Sequence, residues 1–354
     1  MRVLGELRTA PFGELMRQVS IGGAHVSVVG LGTWQFGSPE WGYGREYDDR
    51  EARAIVERAL DLGVNLIDTA EIYGFGRSER IVGRALGARR EEAFLATKIL
   101  PVLAVSRVVE WRAAGSLRRL GTDRIDLYQL HQPNPAVPLS MTMSAFRKLA
   151  DDGRIVHAGV SNYSLARWQS AEAAYGRAVL SNQVRYNLLD RRPERELLAW
   201  ARDRGRIVIA YSPVAQGLLS GRYDADHPPR GTMRAGSAAF SGEHLERVTP
   251  VLDVLREVAA AHAATPAQIA LAWLLHGSNV VAIPGASSVA QLEANVEAAD
   301  IVLREDEYLA LSAASDRYRP LDRSRALAIS ATSRIGSLTS RLRERGAGAS
   351  RPAR

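Results

Sequence analysis

VNLIDTAEIYG, Val64–Gly74, opens as a short apolar run and closes on a cluster of polar groups. A run of this length is too short for a helix and reads as a buried strand, Val64–Ala70, that carries Asp68 and leads into Tyr73. The same design recurs along the chain. LATK ends one run at Lys98, LYQLH ends another at His131, and GVSN, SNQ and AYSP end three more at Asn162, Gln183 and Pro213. The predicted strands are Val28–Trp34, Val64–Ala70, Ala93–Lys98, Arg124–His131, Val156–Asn162, Val179–Tyr186, Arg206–Pro213 and Val280–Ala286. Between them lie amphipathic segments such as 49–62, where Ala52, Ile55, Val56, Ala59 and Leu60 repeat at helical spacing. Asp49, Pro193 and Pro266 stand where helices should begin.

Eight strands alternating with helices imply a parallel sheet, and right-handed crossovers cover its whole outside if it closes on itself. The predicted fold is α/β, a (β/α)8 TIM barrel. An open doubly wound sheet is the alternative. It normally carries G-x-G-x-x-G after its first strand, and GLGTWQFG, residues 30–37, lacks that spacing. QVSIGGAHVSVV, residues 18–29, reads as a hairpin about Gly22–Gly23 that caps the barrel's N-terminal end. Residues 221–242 are too many for a plain connection and read as a mobile loop at the functional face.

Barrel enzymes build their sites at the C-terminal ends of the strands. Closure brings Asp68, Tyr73, Lys98 and His131 onto one rim, a set suited to carbonyl chemistry. Adding hydride to a carbonyl builds negative charge on oxygen, so a proton donor is needed there. A free tyrosine gives up its proton reluctantly, with a pKa of about 10. A nearby ammonium favours the phenolate. Lys98 can supply that charge, Asp68 can hold Lys98, and His131 can hydrogen-bond the carbonyl. Taken singly, each has a plainer reading: Asp68 as a helix cap, Tyr73 as a packed loop aromatic, His131 as a satisfied turn histidine. Only the joint pattern favours chemistry. Metal catalysis lacks a second ligand at suitable spacing near His131.

Residue usage sharpens this. Of 46 basic residues only Lys98 and Lys148 are lysine. Arginine is planar and permanently charged, whereas an ammonium is compact and tunable. Lys148, beside Arg147 on a predicted helix, reads as a surface residue; Lys98 ends an apolar strand.

The formal net charge of +7 is not spread evenly. Residues 317–354 hold ten arginines against Asp322 and Glu344, and residues 1–316 hold 36 basic against 37 acidic side chains. We therefore divide the chain into an N-terminal extension, 1–15, a barrel, 16–316, and a basic, disordered tail, 317–354. A nucleic-acid role would have to reside in that tail alone. No run is long and apolar enough for a membrane span, and the absence of cysteine fits a cytoplasmic protein.

LGTWQFG, NLIDTAEIYGFGRSE, SLRRLGTDRIDLYQLHQPN, GVSNYS, YSPVAQGLLSGRY and IPGASSVAQLEAN occur in this order. Together they make the chain resemble the aldo-keto reductases from about Met16 to Ser315. The resemblance implies an NADPH-linked carbonyl reductase, monomeric or a small homo-oligomer, acting on a small-molecule aldehyde or ketone. Its catalytic tetrad maps onto Asp68, Tyr73, Lys98 and His131. It further implies that Gly32, Thr33, Trp34 and Asp68 border the cofactor and that Ser161, Asn162 and Gln183 hold the nicotinamide amide. Tyr211 would stack on the ring. Ser212, Pro213, Val214, Gln216, Gly217, Leu219 and Gly221 would hold the pyrophosphate, and Ser287, Ser288 or Arg222 is the candidate to meet the 2′-phosphate. Ile283, Gly285, Ser287, Ser288, Gln291 and Asn295 would hold the adenosine. Many relatives place Lys and Arg where this chain has Gly285 and Gln291, so NADH stays open beside NADPH. Substrate contact falls to Trp34, Tyr73 and His131, with Phe36, Trp41, Tyr43 and Phe75 as further candidates for an apolar pocket. IPGASSVAQLEAN also looks like a stretch of the potassium-channel β subunits, so a cofactor-binding regulatory subunit is the second reading. Those proteins lack the family's histidine, present here as His131.

Overall fold

Residues 16–224, 227, 229, 232–235, 237–322, 324 and 326 are described in the structure, a computed structural model. Each of the eight apolar runs forms a strand. A preceding hairpin supplies β1 (Gln18–Ile21) and β2 (Ala24–Ser27). The barrel strands are β3 (Leu31–Gly32), β4 (Leu66–Asp68), β5 (Phe94–Ile99), β6 (Ile125–Leu130), β7 (Ile155–Ser161), β8 (Val179–Arg185), β9 (Ile207–Tyr211) and β10 (Val280–Ala282). The helices are α1 (Asp49–Asp61), α2 (Arg77–Leu86), α3 (Ser106–Leu120), α4 (Leu139–Asp151), α5 (Leu165–Tyr175) and α6 (Leu197–Asp203). They continue with α7 (Thr232–Ala235), α8 (Gly242–Ala261), α9 (Pro266–Leu274), α10 (Val289–Glu297) and α11 (Glu305–Arg317).

Strands β3 to β10 pair in chain order, each parallel to the next. The sheet then closes: Val29 bridges Ala282 and Gly32 bridges Gly285, both in parallel. At this seam Gly30 N–H donates to Ala282 O at 2.8 Å and Gly32 N–H to Pro284 O at 3.0 Å. A Cβ on residue 32 would lie 2.7 Å from Ile283 O, so only glycine lets the two edges meet. Every residue of β6 is buried, as expected of a parallel strand covered on both faces. The predicted (β/α)8 barrel is the fold.

Local chemistry explains the elements. Gly22 and Gly23, at φ 61° and 82°, make the two-residue turn of the β1–β2 hairpin. Ser27 Oγ accepts from the Asn65 and Leu66 N–H groups, docking the hairpin on the N-terminal end of β4. Helix α1 starts in a capping box between Asp48 and Glu51 and buries the five apolar residues expected of it. Thr265 and Gln268 form a second box around Pro266. Pro193 differs from expectation: it lies in a short 3-10 turn, Arg192–Arg195, and α6 begins only at Leu197.

In the long 221–242 connection, the Arg234 guanidinium stands 5.1 Å over the Trp41 ring and donates to Gln216 O at 3.1 Å. It thereby joins two loops on the C-terminal face. The mobility expected of this connection falls partly outside the described residues, as do the N-terminal extension and nearly all of the basic tail.

Candidate active site

The side chains at the strand ends meet because parallel register fixes their height. Asp68 ends β4, where it pairs with Ala96 of β5, and Lys98 lies two residues further along. The Lys98 ammonium donates to Asp68 Oδ1 at 2.5 Å, to Thr69 O at 2.9 Å and to Tyr73 Oη at 3.2 Å. Both charged side chains are buried, so their ion pair is desolvated and depends on its full set of partners. Asp68 Oδ2 completes the set by accepting from Gln183 Nε2 at 2.8 Å and Gln129 Nε2 at 3.3 Å. Burial works against the Lys98 ammonium, but Asp68 and then Tyr73 outweigh it, and its pKa is raised.

His131 follows β6, with its N–H on Ile99 O at 2.9 Å. Its ring meets Tyr73 edge-on, with centroids 5.7 Å apart. Burial, aided by the Lys98 charge, pushes the imidazole down to about 3, so it is neutral at physiological pH. Its Nδ1 is buried without a hydrogen-bond partner among the described residues. Tyr73 corrects the sequence expectation. Burial raises its pKa, and the opposing pull of Lys98 does not bring it below the ordinary phenol value.

The predicted nicotinamide set gathers beside this cluster. Asn162 Nδ2 donates to Ser161 Oγ at 3.0 Å, and Tyr211 Oη donates to Asn162 Oδ1 at 3.0 Å. Non-glycine residues adopt positive φ here: Asn162 at 60°, Ser212 at 49°, Ala215 at 49° and Gln216 at 58°. Such conformations cost roughly 1–3 kcal/mol each and collect at functional sites. With Gly217 at 101° and Gly221 at 70°, they turn the 212–221 backbone into a concave loop of the kind whose N–H groups receive anions.

At the far end, α10 starts at the Ser288 cap. Gln291 Oε1 accepts from Ser287 N–H at 2.9 Å and Ser287 Oγ at 3.0 Å, and Asn295 Nδ2 donates to Gly285 O at 3.4 Å. Arg222 is exposed.

Several expectations change. Thr33 is wholly buried and its hydroxyl donates to Asp68 O at 2.9 Å, so it holds Asp68 and has no surface for a cofactor. Leu219 is likewise packed in the core. Phe36 and Tyr43 are buried around Tyr47 and line no pocket, and Phe75 points outward at 90% exposure. Only Trp34 and Trp41, with rings 4.9 Å apart, stay together on the loop after β3. Sequence reasoning missed Gln129, whose signal was an amide between Tyr128 and Leu130 in a strand buried throughout. It also missed the part-buried pairs Arg112–Glu71 and Arg119–Glu79, which fasten the Tyr73 turn and α2 to α3.

Residues 28–316 match the model of the aldo/keto reductase family. The chain belongs to that family. An uncharacterized oxidoreductase of Mycobacterium tuberculosis (strain H37Rv) is 52% identical over 313 residues, 88% of this chain and 97% of that one. The methylglyoxal reductase YeaE of Escherichia coli (strain K12) is 33% identical over 83% of this chain and 92% of its own length. Among solved structures, an aldo-keto reductase from Klebsiella pneumoniae in complex with NADPH superposes with a TM-score of 0.68 at 32% identity, covering 88% of this chain and 98% of that one. This aldo/keto reductase is thus an oxidoreductase of the class that acts on carbonyl groups.

Proposed function

We propose that this oxidoreductase reduces a small aldehyde or ketone to its alcohol with NADPH, reversibly, and that Tyr73 gives the proton. One arrangement carries the reading: a buried ammonium, anchored by Asp68, within 3.2 Å of the Tyr73 hydroxyl. The strand-end cleft suits a dinucleotide. It offers the Asn162 amide bonded to the Ser161 hydroxyl, an aromatic face at Tyr211, and the positive-φ 212–221 loop; the Klebsiella relative's complex with NADPH supports the same choice. Ser161, Asn162 and Gln183 would hold the nicotinamide amide, Ser212–Gly221 the pyrophosphate, and Gly285–Asn295 the adenosine. When bound, the nicotinamide supplies the hydride.

The residues divide the remaining work. Burial keeps Tyr73 protonated until it is needed. Lys98 stabilises the phenolate as the proton leaves, at a distance where a cation is effective in a dry site. Asp68 keeps Lys98 charged and aimed. His131, neutral and with a free ring nitrogen, holds the carbonyl oxygen in line with the phenol. Because His131 is present and in place, an active enzyme is favoured over a regulatory subunit.

The test is cofactor oxidation by the purified protein against a panel of aliphatic, sugar-derived and aromatic carbonyls, with NADPH and NADH in parallel. Turnover of at least one carbonyl is expected. Tight NADPH binding with no turnover of any would favour the regulatory reading.

A further inference from the structure

On the outside of the barrel, helices α2 and α3 form the walls of an open surface groove of about 520 Å³, with Arg80, Arg84 and Arg118 exposed along it. Its lining is Arg80, Gly83 and Arg84 from α2, and Gly115, Arg118, Arg119 and Gly121 from α3 and its end. Each helix thus contributes one glycine and two arginines at i, i+3 and i+4 spacing, Arg80, Gly83 and Arg84 on α2 and Gly115, Arg118 and Arg119 on α3, the separation that shares one helix face. No carboxylate lines the groove.

Composition does not explain this. Residues 1–316 carry one more acidic than basic side chain, so four guanidinia on one groove are a local concentration. About half of the arginines described on this barrel pair with a carboxylate; Arg80, Arg84 and Arg118 belong to the other half, have no hydrogen-bond or ion-pair partner among the described residues, and share one surface. Arg119 alone is tied, to the buried Glu79 at 2.6 Å. The glycines make the space. A Cβ on Gly83 would lie 2.3 Å from Leu120 O, so that glycine lets the helices close. A Cβ on Gly115 would lie 3.1 Å from Arg119 Nη1 and 3.9 Å from Arg118 Nη2. Glycine inside a helix costs about 1 kcal/mol relative to alanine, and here it clears a seat for two guanidinia.

A second cavity of about 280 Å³ continues the first, sharing Gly115, Arg118 and Arg119. Its other walls are Ile72, Phe75, Leu100 and Trp111, with Trp111 70% exposed, and the ion pair Glu71–Arg112, whose carboxylate is neutralised by its own arginine. A polycationic pocket opening onto an exposed indole matches a ligand with clustered negative charge at one end and a flat ring at the other. Guanidinium forks suit phosphate oxygens, and aromatic faces suit bases. We propose that the α2–α3 cleft binds a nucleoside polyphosphate, phosphates on Arg80, Arg84, Arg118 and Arg119 and base against Trp111.

The test is calorimetric titration of the NADPH-saturated enzyme with ADP, pyrophosphate and adenosine. ADP should bind most tightly, pyrophosphate less so, and adenosine weakest. The triple substitution Arg80→Gln, Arg84→Gln and Arg118→Gln should weaken ADP and pyrophosphate by about tenfold or more while NADPH affinity stays unchanged. Trp111→Ala should remove the advantage of ADP over pyrophosphate. Should the triple variant fail to fold, Arg118→Gln alone should weaken ADP severalfold. Undiminished binding in the arginine variants, or binding that vanishes once NADPH saturates the enzyme, would overturn the proposal, as would ADP binding no more tightly than pyrophosphate.

Discussion

At the Asp68–Lys98 end of the strand termini, charges are buried and every oxygen of Asp68 has a donor: Lys98 on one side, Gln183 and Gln129 on the other. At the Gly285–Asn295 end, Ser287, Gln291 and Asn295 bond only to one another and to the loop, and no lysine or arginine stands in the segment. The first arrangement is costly to disturb, because a buried charge that loses its partner keeps its desolvation penalty. The second carries one charge, Glu293, already paired with Arg58, and lies nearer to water, so its substitutions should be mild. The proposed chemistry and the proposed cofactor preference thus fall in regions with different tolerance.

The largest break should come at Tyr73→Phe. Only the hydroxyl is lost, and Lys98 keeps Asp68 and Thr69 O as partners. Loss of a general acid costs about 10²–10⁴ in rate. kcat/KM on the best carbonyl should fall to that extent, with NADPH Kd nearly unchanged; retention of more than a few per cent of activity would remove Tyr73 from its role. Lys98→Arg should be nearly as damaging although the charge is kept. A guanidinium is bulkier, planar and non-titrating, and the buried space beside Asp68 is shaped for an ammonium. Near-normal turnover of this variant would mean that the lysine is incidental.

The same contrast explains what was legible beforehand. All eight strands were readable because β-branched runs of four to eight residues bounded by polar ones have few other uses. That Asp68, Tyr73, Lys98 and His131 cluster was readable because Asp68, Lys98 and His131 each stand at the end of such a run. Strand lengths were not: Val28–Trp34 was expected, and only Leu31–Gly32 is regular strand, since the seam pairs through isolated bridges. Thr33 and Leu219 were placed on the cofactor by their position in matching motifs. Burial is a property of the packed barrel, and no motif contains it. Positive φ at Asn162 and Ser212 was likewise hidden, because neither is glycine, the residue that usually announces that conformation.

The acid side of the stability profile sharpens the comparison. His131 has its pKa lowered to about 3 in the fold, against about 6.5 when unfolded. The unfolded chain therefore binds the extra proton between these values. The contribution of His131 is complete above pH 6.5 and is lost as pH falls towards 3, by at most about 1.4 kcal/mol per pH unit. His131→Gln should flatten the difference between urea midpoints measured at pH 7.5 and pH 5. An unchanged difference would mean that the imidazole is not shielded as its surroundings indicate.

The smallest expected effect lies at the Gly285–Asn295 end. A 2′-phosphate carries nearly two negative charges, and nothing in Gly285–Asn295 opposes them with a cation. A charge-assisted bond is worth about 1.5–3 kcal/mol, and about 1.4 kcal/mol is a factor of ten. Gln291→Arg would add one such bond, but it also removes the acceptor that Gln291 gives to Ser287 N–H and Oγ. The net gain for NADPH should therefore be about tenfold, with NADH little changed. Tryptophan-fluorescence titration of both cofactors, in wild type and variant, measures it directly. A wild-type preference for NADPH of a thousandfold or more would mean that another cation already grips the phosphate. Arg222, exposed at the end of the 212–221 loop, is then the side chain to replace next.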